Sequence, residues 1–546
     1  MQDIAKEWRS VRPLGSASAP APTRLANVSP SGLTRPATSP GQFNTTRVVR
    51  DQGAAARVGA VRTSEAAGGQ RDGASVTILS CCTIFMVVVM TPFQTATGRR
   101  PLWAGILDWI QAHPTTFLLL VFVAIAGALT LRLASRGRLG VPPGRGDGVG
   151  YDNIAFNLAQ GHGFSVDWDN PEWRQPYEQH NSNHDYDYLL ARTGRWRTTF
   201  RPPAFPLLIA GNQVLFGRQF VTVRITNVLF LAGALCLVAA LASRLIGPLC
   251  AVLVPALGLA DRHTLAYSGA IMTESLALFA VVLLIWLLAR LLDRPSGGNA
   301  ALAGAALGFA LLGRSIFILW YPLLAVAVFL LVSHAQPSRN TRRALALAAL
   351  FLAVAVAVPA PWGARNCIVL GTFMPLGTQG GMTLAGGYSD AAWRSGKGNW
   401  VQAGSWGLYA SLERSEPYRA LPGHLQERER ARAGAEYASE WIKRNPEKIP
   451  VLAWRRLRDL MRPRDGYDAA LLTLALGGLL SRWRDPLVRL LAGLVAINAL
   501  AVMAACSAHA RYLFPVRGCL YVLAAVGLVS VGRWLAAQSA RRPTEA

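Results

Sequence analysis

Apolar runs long enough to cross a lipid bilayer recur along this chain, and they restrict its fold more than any other feature. The clearest reads TTFLLLVFVAIAGALTLRLA, at 115–134. A helix needs about 20 mainly apolar residues to cross a bilayer core. Further runs lie at 221–245, 248–259, 273–292, 300–312, 316–332, 344–358, 469–480, 487–505 and 512–531. Several are short for a full crossing. The expected fold class is all-α: a polytopic helical membrane protein of about 10–11 transmembrane helices, with interfacial helices in its outer loops.

The composition agrees. Of 546 residues, 52% are hydrophobic and 16% charged, where a soluble chain carries about a quarter charged. The formal net charge is +25. Many of the arginines flank apolar runs, which suits anionic headgroups and topology control rather than nucleic acid. The seven cysteines form no metal-type CxxC pair, and an odd total argues against a disulfide framework. They read as small packing residues.

Residues 1–75 are rich in Ser, Ala, Pro, Gly, Thr and Arg, without apolar periodicity, and are expected to be disordered. The apolar segment 76–93 could span, act as a signal-like segment, or precede a start at Met86 or Met90. Alternating the spans gathers Arg244, Arg290, Arg294, Arg339, Arg342, Arg343, Arg482, Arg484 and Arg533 on one side, with the basic tail 532–546. By the positive-inside rule that side is the cytoplasm. Two polar segments, 135–201 and 361–468, then face outward. Arg136, Arg138 and Arg145 run against this bias.

The first outer segment concentrates acid: Asp147, Asp152, Asp167, Asp169, Glu172, Glu178, Asp185 and Asp187. Residues 151–160 read as a short helix stopped by Gly161 and Gly163. Asp147 stands just before it, flanked by two glycines, as an N-cap or as an uncrowded functional carboxylate. The segment ends on TTFRPPAFP, 198–206. Pro202 and Pro203 fix φ and remove two donors, so Arg201 projects from a stiff turn. It could snorkel to headgroups or hold a phosphate bidentately. Glu274 opens an apolar span, where an acid is costly unless paired or functional. It is also a first-turn acid favoured by the helix dipole.

QHNSNHDYD offers His180, His184, Asp185 and Asp187 as oxygen and imidazole donors for zinc or manganese, or as a solvated loop. The stretch 423–463 reads as an amphipathic helix, a break at Pro446, and a basic helix suited to a membrane surface. HARYLFP adds His509 and Arg511 at the last outer loop.

The order GDG..YDNIAFNLAQGHGFS, RPPAFPLLIAG, MTESLALF and PAPWGARNCIVLGTFMPLGTQGG resembles bacterial membrane glycosyltransferases of the GT-C fold. The group is similar to glycosyltransferase family 39, which includes protein mannosyltransferases and lipid A aminoarabinose transferases. The resemblance covers 115–531, as one transmembrane catalytic domain. It implies transfer of a sugar from a polyprenyl-phosphate donor to a lipid, glycan or protein acceptor on the outer face of the cytoplasmic membrane. Inversion in one displacement is implied. The family's outer loop opens with an acid, often an acidic pair. Asp147 matches the first position, and Gly148 stands at the second. On this resemblance Asp147 and Glu274 are the expected catalytic acids. Arg201, Arg365, Tyr151, Asp152 and Trp362 are the expected substrate-binding residues. No metal ligand is assigned, and a divalent metal stays open, since one carboxylate makes a poor site alone. Competing readings are a polysaccharide ligase or polymerase, whose main loop lies late in the chain, and a transporter of lipid-linked sugars, for which internal repeats would speak.

Overall fold

The computed structural model describes residues 102–144, 146–180, 194–335, 340–398, 400–401, 403–505 and 510–539. The segments 1–75 and 76–93, with His184, Asp185, Asp187, His509 and residues 540–546, lie outside the described residues.

Helix follows helix, as the apolar runs require. The chain enters through α1 (Leu102–Ala112) and α2 (Pro114–Ser135). It then passes through α3 (Asp147–Ala159), α4 (Pro171–Gln179) and α5 (Ala204–Phe216). Next come α6 (Phe220–Ile246), α7 (Cys250–Ala260), α8 (Arg262–Gly269), α9 (Glu274–Asp293) and α10 (Gly297–Gly313). A 3-10 turn, Ser315–Leu319, leads into α11 (Trp320–Ala335), and α12 (Thr341–Ala357) follows. The second polar segment supplies α13 (Ala360–Leu370), α14 (Gln379–Gly387), α15 (Asp390–Arg394), α16 (Ala403–Arg414), α17 (Glu416–Arg419), α18 (Gly423–Arg444) and α19 (Lys448–Met461). The last apolar elements are α20 (Gly466–Ser481), α21 (Pro486–Ala505) and α22 (Arg517–Ser539).

Among the described residues six helices are long and apolar enough to span, or seven if the bent pair α12–α13 is one crossing. Helices α5, α7, α10 and α20 are apolar but shorter, at 10–17 residues. Among the described residues that is fewer than the expected ten to eleven crossings: the runs 248–259, 300–312 and 469–480 are the short helices α7, α10 and α20, and α5 was not among the expected runs. The protein is an all-α polytopic membrane protein. Helices α9 and α22 are apolar on every face and sit deepest, with 72% and 83% of their apolar windows buried. Helix α2 keeps Leu119, Leu120, Val123 and Leu131 exposed, a face suited to lipid. Helix α22 runs to Ser539, eight residues into the expected basic tail.

The two ends of the bundle differ. Helix α9 separates Glu274 from Asp293 by about 30 Å at 1.5 Å per residue. At the Asp293 end Arg244 pairs with Asp293, Arg343 reaches the Pro295 carbonyl, and Arg482 reaches the Leu245 carbonyl. At the Glu274 end lie the two polar segments. The first is not a bare loop. Val149, Ile154, Phe156, Phe164, Trp168 and Trp173 build a small core of their own. Strand β1 (Ser165–Val166) pairs antiparallel with β2 (Trp196–Arg197). In the second segment the chain breaks between Arg444 and Lys448, as Pro446 requires. Helix α19 buries Leu452 and Leu460 and leaves Trp454 62% exposed.

Candidate active site

Five charged side chains converge at the Glu274 end, each from a point where an element begins or stops. Asp147 is the first residue of α3, so the helix starts four residues earlier than the sequence pattern suggests. Gly146, at φ 73, holds the N-cap position instead. That corrects the N-cap reading of Asp147, whose carboxylate is directed at guanidinium groups. Arg201 lies in the Pro-Pro turn before α5. Glu274 opens α9, Arg314 follows α10, and Arg511 sits in a 3-10 turn ahead of α22.

The contacts form an alternating chain of charge. Arg201 Nη2 lies 2.9 Å from Asp147 Oδ1, and Arg511 Nη2 lies 2.8 Å from Asp147 Oδ2. Arg511 Nε stands 3.6 Å from Glu274 Oε1, and Arg314 Nη1 donates to the same oxygen at 3.1 Å. Tyr151, one turn along α3 from Asp147, places its ring 5.2 Å from the Arg201 guanidinium. Tyr512 does the same for Arg314 at 5.1 Å and Arg511 at 5.4 Å. Three guanidinium groups against two carboxylates leave one positive charge in excess when all are ionised.

Burial would raise the Asp147 carboxyl, but the charges of Arg201 and Arg511 outweigh it and hold it well below the usual carboxylate range. Burial pushes the Tyr151 hydroxyl up to about 12, so it stays protonated. Glu274 is 1% exposed, and its Oε2 has no hydrogen-bond partner among the described residues.

Gly148 explains why this site lacks an acidic pair in sequence. A Cβ there would stand 2.7 Å from the Ile271 carbonyl oxygen. The carboxylate that shares a guanidinium with Asp147 is Glu274 of α9, through Arg511. Asp147 and Glu274 both face guanidinium groups, and no trio of His, Cys, Asp or Glu suited to a metal gathers among the described residues. This donor set does not fit a divalent ion.

The remaining candidates are placed elsewhere. Asp152 is buried and accepts from Trp173 Nε1 (2.9 Å), Tyr177 Oη (2.9 Å), Gln213 Nε2 (3.2 Å) and Arg218 Nη2 (2.7 Å). It anchors α3 to α4 and α5 and does not join the charged chain. Arg365 donates to the carbonyls of Thr198 (2.6 Å) and Phe164 (2.9 Å). Trp362 packs edge-on against Phe164. Both brace the first polar segment against α13. His180 bonds back to the Pro176 carbonyl.

Arg314 escaped sequence reading. Its one signal was a lone arginine in the gap between apolar runs 300–312 and 316–332, on the side of the polar segments. Glu427 gave no signal, being one charge among many in QERERARAGAE.

Residues 200–362 match the profile of the family described as dolichyl-phosphate-mannose-protein mannosyltransferase. No curated protein matches the chain. Among solved structures the chain is similar to ArnT from Cupriavidus metallidurans, crystallised with undecaprenyl phosphate. The identity is 15%, over 77% of this chain and 78% of that one, with a TM-score of 0.34, a likeness too remote to bear on the site. Motifs and profile agree: over the stretch carrying Arg201, Glu274 and Arg314, this chain is similar to the dolichyl-phosphate-mannose-protein mannosyltransferase family.

Proposed function

We propose that the protein is a membrane glycosyltransferase that moves a sugar from a polyprenyl-phosphate donor to an acceptor at the outer face of the cytoplasmic membrane. The observation that carries this reading is the chain Arg201–Asp147–Arg511–Glu274–Arg314 at one end of the bundle. Its excess positive charge suits a lipid-borne phosphate, and its acids suit proton transfer. The matched family's description, with a dolichyl-phosphate donor, supports the donor class. The gathering of Arg244, Arg343 and Arg482 at the opposite end supports a cytoplasmic position for that end.

In this reading a carboxylate takes the proton of the acceptor nucleophile. The nucleophile attacks the anomeric carbon from the face opposite the phosphate. The carbon–oxygen bond to phosphate breaks and its electron pair leaves with polyprenyl phosphate. Arg201 and Arg511 neutralise the charge that develops there. Asp147 is a weak base while both guanidinium groups hold it. Donor phosphate competes for those groups and so raises the basicity of Asp147 when the donor is in place. Glu274, whose Oε2 has no hydrogen-bond partner among the described residues, is the second acid available.

The test is transfer by the purified protein in lipid nanodiscs, from a radiolabelled polyprenyl-phosphate sugar to a cell-envelope acceptor fraction. Wild type should transfer. Arg201→Lys keeps charge but loses the planar fork, and should raise the donor KM by roughly tenfold. Absence of transfer by wild type across a panel of such donors would sink the reading.

A further inference from the structure

The stretch that presents Arg201 is held from the other polar segment, more than two hundred residues away in sequence. Glu427, on α18, is 8% exposed and faces four donors. Its Oε1 accepts from Thr198 Oγ1 at 2.7 Å and Trp196 Nε1 at 2.9 Å. Its Oε2 accepts from the Thr199 amide at 3.1 Å and Thr378 Oγ1 at 3.3 Å. The grip continues around it. Arg365 takes the Thr198 carbonyl at 2.6 Å, and the Thr378 amide takes the Thr199 carbonyl at 3.4 Å. Thr198 Oγ1 in turn accepts from the Phe200 amide at 3.1 Å. Gly377, at φ 78, allows this approach, since a Cβ there would lie 2.0 Å from the Thr199 carbonyl oxygen.

We propose that Glu427 is a positioning residue for Arg201, acting through Thr198 and Thr199. The inference rests on the transferase reading for its kinetic consequence and on geometry for the latch itself. Arg201 follows Thr199 by two residues and precedes Pro202-Pro203, whose φ angles are fixed. Glu427 removes the freedom on the other side. The guanidinium therefore reaches Asp147, or a donor phosphate, from a backbone held at both ends. Only a carboxylate serves here. Trp196 Nε1 and the Thr199 amide can only donate, one to each oxygen, so a carboxylate accepts from both whereas an amide in either orientation turns its N–H₂ toward one of them. Placing the latch on α18 also makes the site depend on both polar segments being assembled.

Glu427→Gln and the milder Thr198→Val test this. Hydrogen exchange is followed in peptides covering 194–203, and donor KM and kcat are measured with and without Arg201→Ala. Faster exchange in that stretch is expected in both variants. A fall in donor kcat/KM of roughly tenfold to a hundredfold is expected in Glu427→Gln. In the Arg201→Ala background Glu427→Gln should add no further loss, because the latch acts through the missing side chain. Should Glu427→Gln fail to fold, Thr198→Val carries both measurements. Unchanged exchange at 194–203 would overturn the latch. Full additivity with Arg201→Ala would overturn its role toward Arg201. A wild type without transfer would defeat the transferase reading, and the exchange result would still decide the latch.

Discussion

Replacing Asp147 with Asn separates two consequences that a simple loss of structure would merge. The carboxylate touches Arg201 at 2.9 Å and Arg511 at 2.8 Å, with side-chain exposures of 20%, 13% and 28% for Asp147, Arg201 and Arg511. At an effective dielectric of about 20, each contact carries roughly 4 kcal/mol of Coulomb attraction before desolvation is counted. A donor phosphate has to compete with that attraction for the same guanidinium groups. Asn removes the charge and keeps the shape. If a tenth of the pairing energy reached the donor as surplus, donor binding would tighten by severalfold; a surplus of about 1.4 kcal/mol would make it tenfold. Loss of the proton acceptor acts the other way on rate, by roughly 10² to 10⁴. Asp147→Asn should therefore lower kcat by at least about a hundredfold while donor KM stays level or falls. Initial rates against donor concentration in nanodiscs, with chromatographic homogeneity as the folding control, give both numbers. Because Gly146 and not Asp147 occupies the cap position, a silent substitution cannot be credited to Asn being a good cap. Unchanged kcat would remove Asp147 from proton transfer. A donor KM rising in step with falling kcat would show that the carboxylate binds donor rather than competing with it.

The depressed Asp147 carboxyl sets a pH dependence. A lowered folded value means stability present above the ordinary value of 3.8 and lost as pH falls through the folded value. Thermal inactivation should gain an acid limb below about pH 4 in wild type that is missing in Asp147→Asn; identical acid limbs would refute this. Asp152→Asn should shorten the thermal lifetime, since breaking a buried pair of this kind costs about 3–5 kcal/mol. Donor KM and kcat of the surviving protein should change by less than about twofold, and an altered KM at normal lifetime would instead bring Asp152 into substrate binding. Ser411→Cys, at an exposed position of α16, should react with an impermeant thiol reagent in intact cells when the native cysteines are replaced. Reaction only after lysis would reverse the orientation proposed here.

How much of this was legible in sequence follows from the range of each interaction. The apolar runs gave the helical class, because hydrophobic length and backbone satisfaction in lipid are local properties of a segment. The break at Pro446 and the turn at Pro202-Pro203 were equally local. Glu274 could be nominated because a charge opening an apolar span is costly without a purpose, whereas Asp147 and Arg201 were nominated on the motifs that resemble the glycosyltransferase family. Sequence could not place those charges relative to one another. Asp147 and Arg511 are 364 residues apart and share an ion pair, and Glu427 lies 228 residues from the amide it holds. Nor could it show that Asp152, five positions from Asp147 along the same helix, lies apart from the charged cluster: Asp147 meets two guanidinium groups at the bundle end, Asp152 a cage of Trp173, Tyr177, Gln213 and Arg218. The helix turns the two carboxylates toward different neighbours, and those neighbours are supplied only when α4, α5 and the turn before α22 pack around α3. Sequence by itself determined the apolar helices and nominated Asp147, Arg201 and Glu274, but not Arg314 or Glu427. Tertiary structure decided which of them meet, since ion pairs and hydrogen bonds depend on distances of about 3 Å that chain order does not encode.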